Sequence, residues 1–370
     1  PRSTVVQEVL VVVFHYDGHF TSAVSWTAAR TQAAYGISNM ISAVVQRSLL
    51  SCLAAAISVA LAASCHAQQP PDFPRNVVMI VTDDCNCDLG CYGHDLVQSP
   101  NIDRLAERGV RFARAYAQYP VCNASRSSFM TSLYPGQTGV FSNKGDLRDK
   151  NPNVVTLSQM FRNHGYTAAR VGKIYHYGVP NQIGTDGHDD RASWDIRINP
   201  RGIDREVHDQ IHCILPGAAA KSKLGGTLSW LSVPDESIHH TDGKGATAAI
   251  ELLKNLHPEE TGRPFFLAMG FYRPHTPYVA PARIFDWYDR QAIQPVLEKP
   301  GDRDDIPVAA LHDRPGQREL TVDQRREIIQ AYYASISLMD EQLGRVVDAL
   351  SDRNLAENTD IVFLSDDGYH

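Results

Sequence analysis

Buried strands and amphipathic helices alternate along most of this chain. Asn76 to Thr82 (NVVMIVT) is a continuous apolar run rich in Val, the pattern of a strand buried on both faces, and it ends abruptly in Asp83 and Asp84. Ser99 and Pro100 then offer an N-cap and a first-turn proline for a helix over NIDRLAERG, closed by Gly109. Thr156 to His164 reads as a second helix, ended by Gly165 and followed by a short strand, TAARV, that leads into GKIYH. Ala249, Leu252, Leu253 and Leu256 fall at helical spacing, and PFFLAMGF from Pro264 to Phe271 is again a buried-strand run. The longest periodic segment carries Ile329, Tyr332, Ile336, Met339, Leu343, Val346 and Leu350 on one face of a long amphipathic helix. It runs into an apolar strand, Ile361 to Leu364, that delivers Asp366 and Asp367 at its end. Strands alternating with helices predict an α/β fold with a mostly parallel central sheet flanked by helices on both faces. No internal repeat interrupts this order, and the stretch from about Lys299 to Gly316 reads as a long surface loop.

The start of the chain follows a different pattern. From Met40 a short segment carrying Arg47 precedes an apolar, alanine-rich run and then small residues before a polar, proline-bearing exit, which is the layout of an export signal over residues 40–67 with cleavage after Ala67. The run is too short and alanine-rich for a stable membrane span. Cys65 after Ala-Ala-Ser is a degraded lipoprotein site, so anchoring there is the lesser alternative to a periplasmic or secreted location. Residues 1–39 lie upstream of this start and read as a non-native extension with no part in the fold. Residues 68–370 remain as the folded domain. A formal net charge of -7 excludes the basic footprint that displaces counterions from a nucleic acid.

Carboxylate pairs at the C-terminal ends of buried strands lie where open α/β sheets build their sites. Either Asp-Asp pair alone is equally well a solvated turn. Brought together by a parallel sheet, Asp83, Asp84, Asp366 and Asp367 would concentrate hard oxygens and call for a divalent cation, calcium or magnesium. Past the signal stand Cys85, Cys87, Cys91, Cys122 and Cys213, an odd number, so at least one is unpaired or modified in an exported protein. A buried free thiol is the ordinary reading of any one of them. The first three lack a second paired-cysteine motif at zinc-finger spacing.

The stretch PVCNASRSSFMTS, from Pro120 to Ser132, resembles the sulfatase signature, whose usual form is Cys-x-Pro-Ser-Arg followed by a few residues and Thr-Gly. The resemblance extends in order through VTDDCNCDLGCYGHD, VGKIYH, GFYRPHTPY and FLSDDGYH and spans nearly all of residues 76–370, and its Leu-Gly-Cys-Tyr-Gly run is typical of the iduronate-2-sulfatase-like group. It implies an alkaline-phosphatase-like fold and one calcium ion held by Asp83, Asp84, Asp366, Asp367 and residue 122. It further implies that a formylglycine-generating maturation enzyme oxidises Cys122 to formylglycine, whose hydrate attacks sulfur with one hydroxyl and expels sulfate with the other. A hard cation is served better by such an oxygen than by a thiolate. On the same resemblance Arg126 steadies the formylglycine and the cation site, and Lys173 clamps sulfate oxygens. His176 partners the diol, and His275 protonates the departing sugar oxygen. Each of these basic residues also has a purely structural reading.

Ala124 stands where the signature has proline and Ser132 where it has glycine, while Asp367 replaces a more usual His or Asn and adds a negative charge. The family carries a further active-site lysine and a smaller C-terminal subdomain, which this reading expects beyond His370. The implied substrate is a sulfated polysaccharide or oligosaccharide. The alternatives are a phosphate or phosphonate ester hydrolase of the same superfamily and a non-catalytic protein that binds sulfated glycans.

Overall fold

A computed structural model describes residues 11–14, 74–216, 224–296, 299–308 and 316–368. The chain divides into two compact units, residues 1–17 with 75–370, and residues 18–74. Apart from Pro74, the second unit lies outside the described residues, and with it the expected signal segment 40–67 and Cys65.

Among the described residues ten strands form: β1 (Val11–Phe14), β2 (Asn76–Asp83), β3 (Val110–Arg111), β4 (Thr167–Gly172), β5 (Ile196–Ile198), β6 (His212–Cys213), β7 (Ser229–Val233), β8 (Phe265–Pro274), β9 (Tyr278–Pro281) and β10 (Thr359–Ser365). Seven make one sheet in the order β3-β1-β10-β2-β8-β4-β5, and β6-β7-β9 make a smaller one. The five strands from β10 to β5 are parallel, as the buried apolar runs require. β1 lies antiparallel to β10, with Val11 opposite Leu364 and Phe14 opposite Ile361. The expectation that nothing before Met40 takes part in the fold is therefore not met for these four residues. A β-branched run supplies the backbone partners that an edge strand otherwise lacks.

The principal helices are α1 (Pro100–Glu107), α2 (Cys122–Thr131), α3 (Leu157–Asn163), α4 (Thr241–Asn255) and α5 (Val322–Asp352). Alternate residues of β2 feed two cores. Val78 and Ile80 pack with Ile102 of α1, Leu253 of α4 and Leu343 of α5, whereas Met79 and Val81 pack with Met130 of α2 and the half-buried Phe161 of α3. The sheet is thus covered on both faces, as the alternating pattern predicts.

Two local details differ from the sequence reading. Residues 331–340 of α5 are buried all round, and Ile328 is buried where Ile329 is only half-buried. The helix packs against α1, α4, β8 and β9 at once, so its middle has no solvent face. Ser99 makes no side-chain cap to α1. The free N–H groups of Asn101 and Ile102 donate instead to Oδ1 of Asp340 on α5, at 3.1 and 2.7 Å. A carboxylate from another helix thereby does the work of the N-cap.

Candidate active site

β2 and β10 are parallel neighbours with Thr82 opposite Ser365, so the two aspartate pairs leave the sheet side by side. Asp84 has φ 62, a left-handed turn that carries the chain off the strand. Its N–H donates to Oδ1 of Asp366 at 3.1 Å, and the N–H of Asp367 donates to the same oxygen at 2.9 Å.

The signature segment supplies the opposite wall. α2 starts at Cys122, after an extended Val121, and ends at Ser132 with φ 57, the left-handed position that makes glycine the usual residue there. Helical spacing brings Cys122, Ser125 and Arg126 to one face. Ser125 Oγ donates to the carbonyl oxygen of Asp366. The buried Arg126 guanidinium spans both pairs, with Nε to Asp366 Oδ2 at 2.8 Å and Nη2 to Asp83 Oδ1 at 2.9 Å. Its Nη1 donates to the carbonyls of Lys173 and Ile174 at 2.8 and 3.0 Å.

Lys173 follows Gly172, whose φ is +75 and whose added Cβ would lie 2.1 Å from the Gly270 carbonyl oxygen, so only glycine lets β4 close on β8 here. The Lys173 ammonium is fully buried and donates to Asp83 Oδ2. Both Asp83 oxygens are thus taken by cations, and these hold its carboxyl below the usual range against the opposing effect of burial.

His176 is buried, and its Nδ1 has no hydrogen-bond partner among the described residues. Burial, with Lys173 and Arg126 nearby, lowers its pKa to about 2, so the ring is neutral. It stacks on His188 with centroids 5.9 Å apart, and His188 Nδ1 meets Asp146 Oδ1 at 2.6 Å. His275 sits between β8 and β9 with Nε2 3.7 Å from Asp84 Oδ2.

The brace under His275 was not legible in the sequence. Arg273 is buried, donates from Nη1 to the carbonyls of His275 and Pro277 at 3.1 and 2.8 Å, and pairs with Asp204 at 2.7 Å. Asp242 accepts the N–H groups of Tyr272 and Arg273 at 2.8 and 3.0 Å, and burial lifts its pKa to about 7. An arginine inside an apolar strand run was the available signal.

Donor atoms of Asp83, Asp84, Cys122 and Asp366 all lie within 4.8 Å of one another, as do those of Asp84, Cys122 and His275. Asp367 belongs to neither group. It is nevertheless buried, with Oδ1 lacking a hydrogen-bond partner among the described residues, and burial followed by Asp366 and Asp84 holds its carboxyl well above the usual range. Four aspartates thus face two fixed cations, Arg126 and Lys173, and an orphaned carboxylate oxygen remains. That donor set fits a hard divalent cation. Cys122 Sγ lies 3.6 Å from Asp84 Oδ1. Burial and then the surrounding aspartates push its thiol well above its ordinary pKa, the reverse of an activated cysteine. Cys85, Cys87, Cys91, Cys122 and Cys213 are all outside disulfides. No helix among the described residues is long and apolar enough to cross a membrane.

A parallel sheet covered by helices on both faces, with its site at the strand ends, agrees with the alkaline-phosphatase-like fold class that the resemblance implies. Solved structures agree. The phosphonate monoester hydrolase of Agrobacterium radiobacter superposes with a TM-score of 0.59 at 21% identity, covering 80% of this chain and 64% of that one. A 2-O GAG sulfatase superposes with a TM-score of 0.53 at 22% identity, covering 80% and 58%. The sulfatase family model matches residues 75–370, and the chain belongs to that family. It is 32% identical to human iduronate 2-sulfatase over 330 residues, 85% of this chain and 58% of that protein. It is 33% identical to a sulfatase of Formosa agariphila over 317 residues, 82% and 60% respectively. The chain thus spans about three-fifths of the length of these relatives.

Proposed function

We propose that this chain hydrolyses sulfate esters on carbohydrates, with formylglycine made from Cys122 as nucleophile and one Ca2+ held by Asp83, Asp84, Asp366, Asp367 and residue 122. The observation that carries the reading is the placement of Cys122. It stands at the start of a buried helix among carboxylates that disfavour a thiolate, where an oxygen nucleophile beside a cation suits the surroundings. Hydrated formylglycine supplies that oxygen, and calcium supplies positive charge against the ester's oxygens. Arg126 fixes Asp83 and Asp366 in position. Lys173 holds Asp83 and adds positive charge that favours an anionic ester, while neutral His176 keeps a buried ring nitrogen free of partners among the described residues and is assigned to the diol. His275, held by Arg273, delivers a proton from Nε2 to the departing sugar oxygen.

Similarity to iduronate 2-sulfatase supports sulfate over phosphonate, for which the fold likeness speaks. The reading includes a formylglycine-generating enzyme as partner and export to the periplasm or outside the cell, on the pattern of residues 40–67. The test is the mass of the peptide bearing Cys122, from protein made with a competent maturation enzyme, together with desulfation across defined sulfated oligosaccharides and nitrophenyl sulfate. Formylglycine with sulfate release supports the proposal. An unmodified thiol without turnover sinks it in favour of a sulfated-glycan-binding protein.

A further inference from the structure

The loop at residues 141–146 is tied at both ends to the catalytic wall. On one side Asn123, the residue after Cys122, donates from Nδ2 to the carbonyls of Ser142 and Gly145 at 3.0 and 3.1 Å. Its backbone N–H donates to Asn143 Oδ1 at 3.1 Å. On the other side Asp146 holds His188, whose ring stacks on His176. The segment therefore links the residue after Cys122 to the histidine that stacks on His176. Two of its side chains stand out in solvent. Phe141 is 51% exposed, and its ring meets Tyr119, three residues before Cys122, edge-on with centroids 5.8 Å apart. Lys144 is exposed and in no salt bridge among the described residues. Single exposed apolar residues are ordinary on a protein surface. A paired aromatic edge beside an exposed cation, on a loop pinned to the residue after the nucleophile, is a different arrangement.

We infer that residues 141–146 form the subsite for the sugar ring that carries the sulfate ester, with the Phe141–Tyr119 pair against the apolar face of the ring and Lys144 on a second anionic group of the same saccharide. The inference rests on the carbohydrate reading above. Aromatic rings give area for a sugar's C–H face at low entropic cost, and a lysine ammonium is a flexible point charge suited to a carboxylate or sulfate whose position varies. The substrate class it selects is a sulfated saccharide bearing a further negative charge, in preference to a neutral one.

The test measures binding of a panel of glycosaminoglycan-derived sulfated disaccharides to Cys122→Ala protein by calorimetry, with and without Phe141→Ala or Lys144→Glu. In parallel, kcat/KM for the disaccharides and for nitrophenyl sulfate is compared in matured protein. Each substitution is expected to weaken disaccharide binding about tenfold or more, and to cost at least about ten times more on the disaccharide than on nitrophenyl sulfate. Lys144→Gln, which keeps the size of the side chain, is expected to show the same split at smaller amplitude. Equal disaccharide binding with and without the substitutions overturns the subsite and leaves the sulfatase reading standing. Cleavage of nitrophenyl sulfate by parent protein that binds none of the disaccharides overturns the carbohydrate reading itself, and the subsite with it.

Discussion

The backbone N–H of Asp84 donates to the side chain of Asp366 across 282 residues of chain. Asp366 also accepts from Asp367 N–H and Arg126 Nε, so three donors orient this carboxylate. Two strand ends are thereby locked into one rigid acidic surface, with Arg126 as the shared counter-charge. Arg126→Met leaves Asp83 and Asp366 buried without that partner and is expected to cost about 3–5 kcal/mol of stability. Urea unfolding followed by circular dichroism measures it. A loss of less than about 1 kcal/mol means that the pair is solvated or neutralised by other groups.

Cys122→Ala is expected to reduce sulfate release to background while the thermal midpoint stays close to that of the parent. The side chain lies among carboxylates and belongs to neither apolar core, so its truncation leaves little core packing behind. Substantial residual turnover in purified variant protein rules out residue 122 as nucleophile.

His275→Ala is expected to slow hydrolysis of a sulfated sugar by roughly two to four orders of magnitude and nitrophenyl sulfate much less, because a sugar alkoxide needs its proton during sulfur-oxygen cleavage and a nitrophenolate does not. Equal losses on both substrates make His275 a holder of sulfate or of structure.

Chelation of divalent cations is expected to lower the thermal midpoint by exposing the mutual repulsion of Asp84, Asp366 and Asp367. Calcium at about 100 times its Kd is expected to restore about 2.7 kcal/mol. Asp84→Asn diminishes the response. A midpoint that calcium does not move argues against a cation among these residues.

Away from the site, Arg148 pairs with Asp190 at 2.7 Å. Burial raises the Asp190 pKa, but hydrogen bonds from Arg148 and Ser193 outweigh it, and the folded value lies below the ordinary 3.8. The stabilisation is therefore present above the ordinary carboxylate range and lost as acid takes the pH down through the folded value. Arg148→Met is expected to flatten the acid limb of the stability curve, read as thermal midpoint against pH. An unchanged acid limb removes Asp190 from the account.

Strand and helix periodicity made the parallel sheet legible, and with it the convergence of Asp83, Asp84 and Asp366, because buried apolar runs ending in acids depend on local sequence alone. Long-range polar partners were not legible. Asp340 caps α1 from a helix more than two hundred residues away, and Arg273 braces His275 from within an apolar run. Neither leaves a periodic trace: the apolar run around Arg273 signals that it is buried, but the partners of a single buried charge cannot be read from sequence. The strand at Val11–Phe14 escaped for a related reason: a short β-prone run is specified by the edge it meets.

Cys122 is only 7% exposed, and Asp366, whose carbonyl takes the Ser125 hydroxyl, lies 241 residues beyond Ser125. At ~5–20 residues per second the ribosome makes that stretch in roughly 12–50 s. Until then the wall over Cys122 has no β10 to close it, and afterwards the thiol is shut inside a finished sheet. If Cys122 is matured as proposed, its conversion is a race against folding, and the yield of active protein then depends on the order in which the chain emerges as well as on the affinity of the modifying enzyme for its signature.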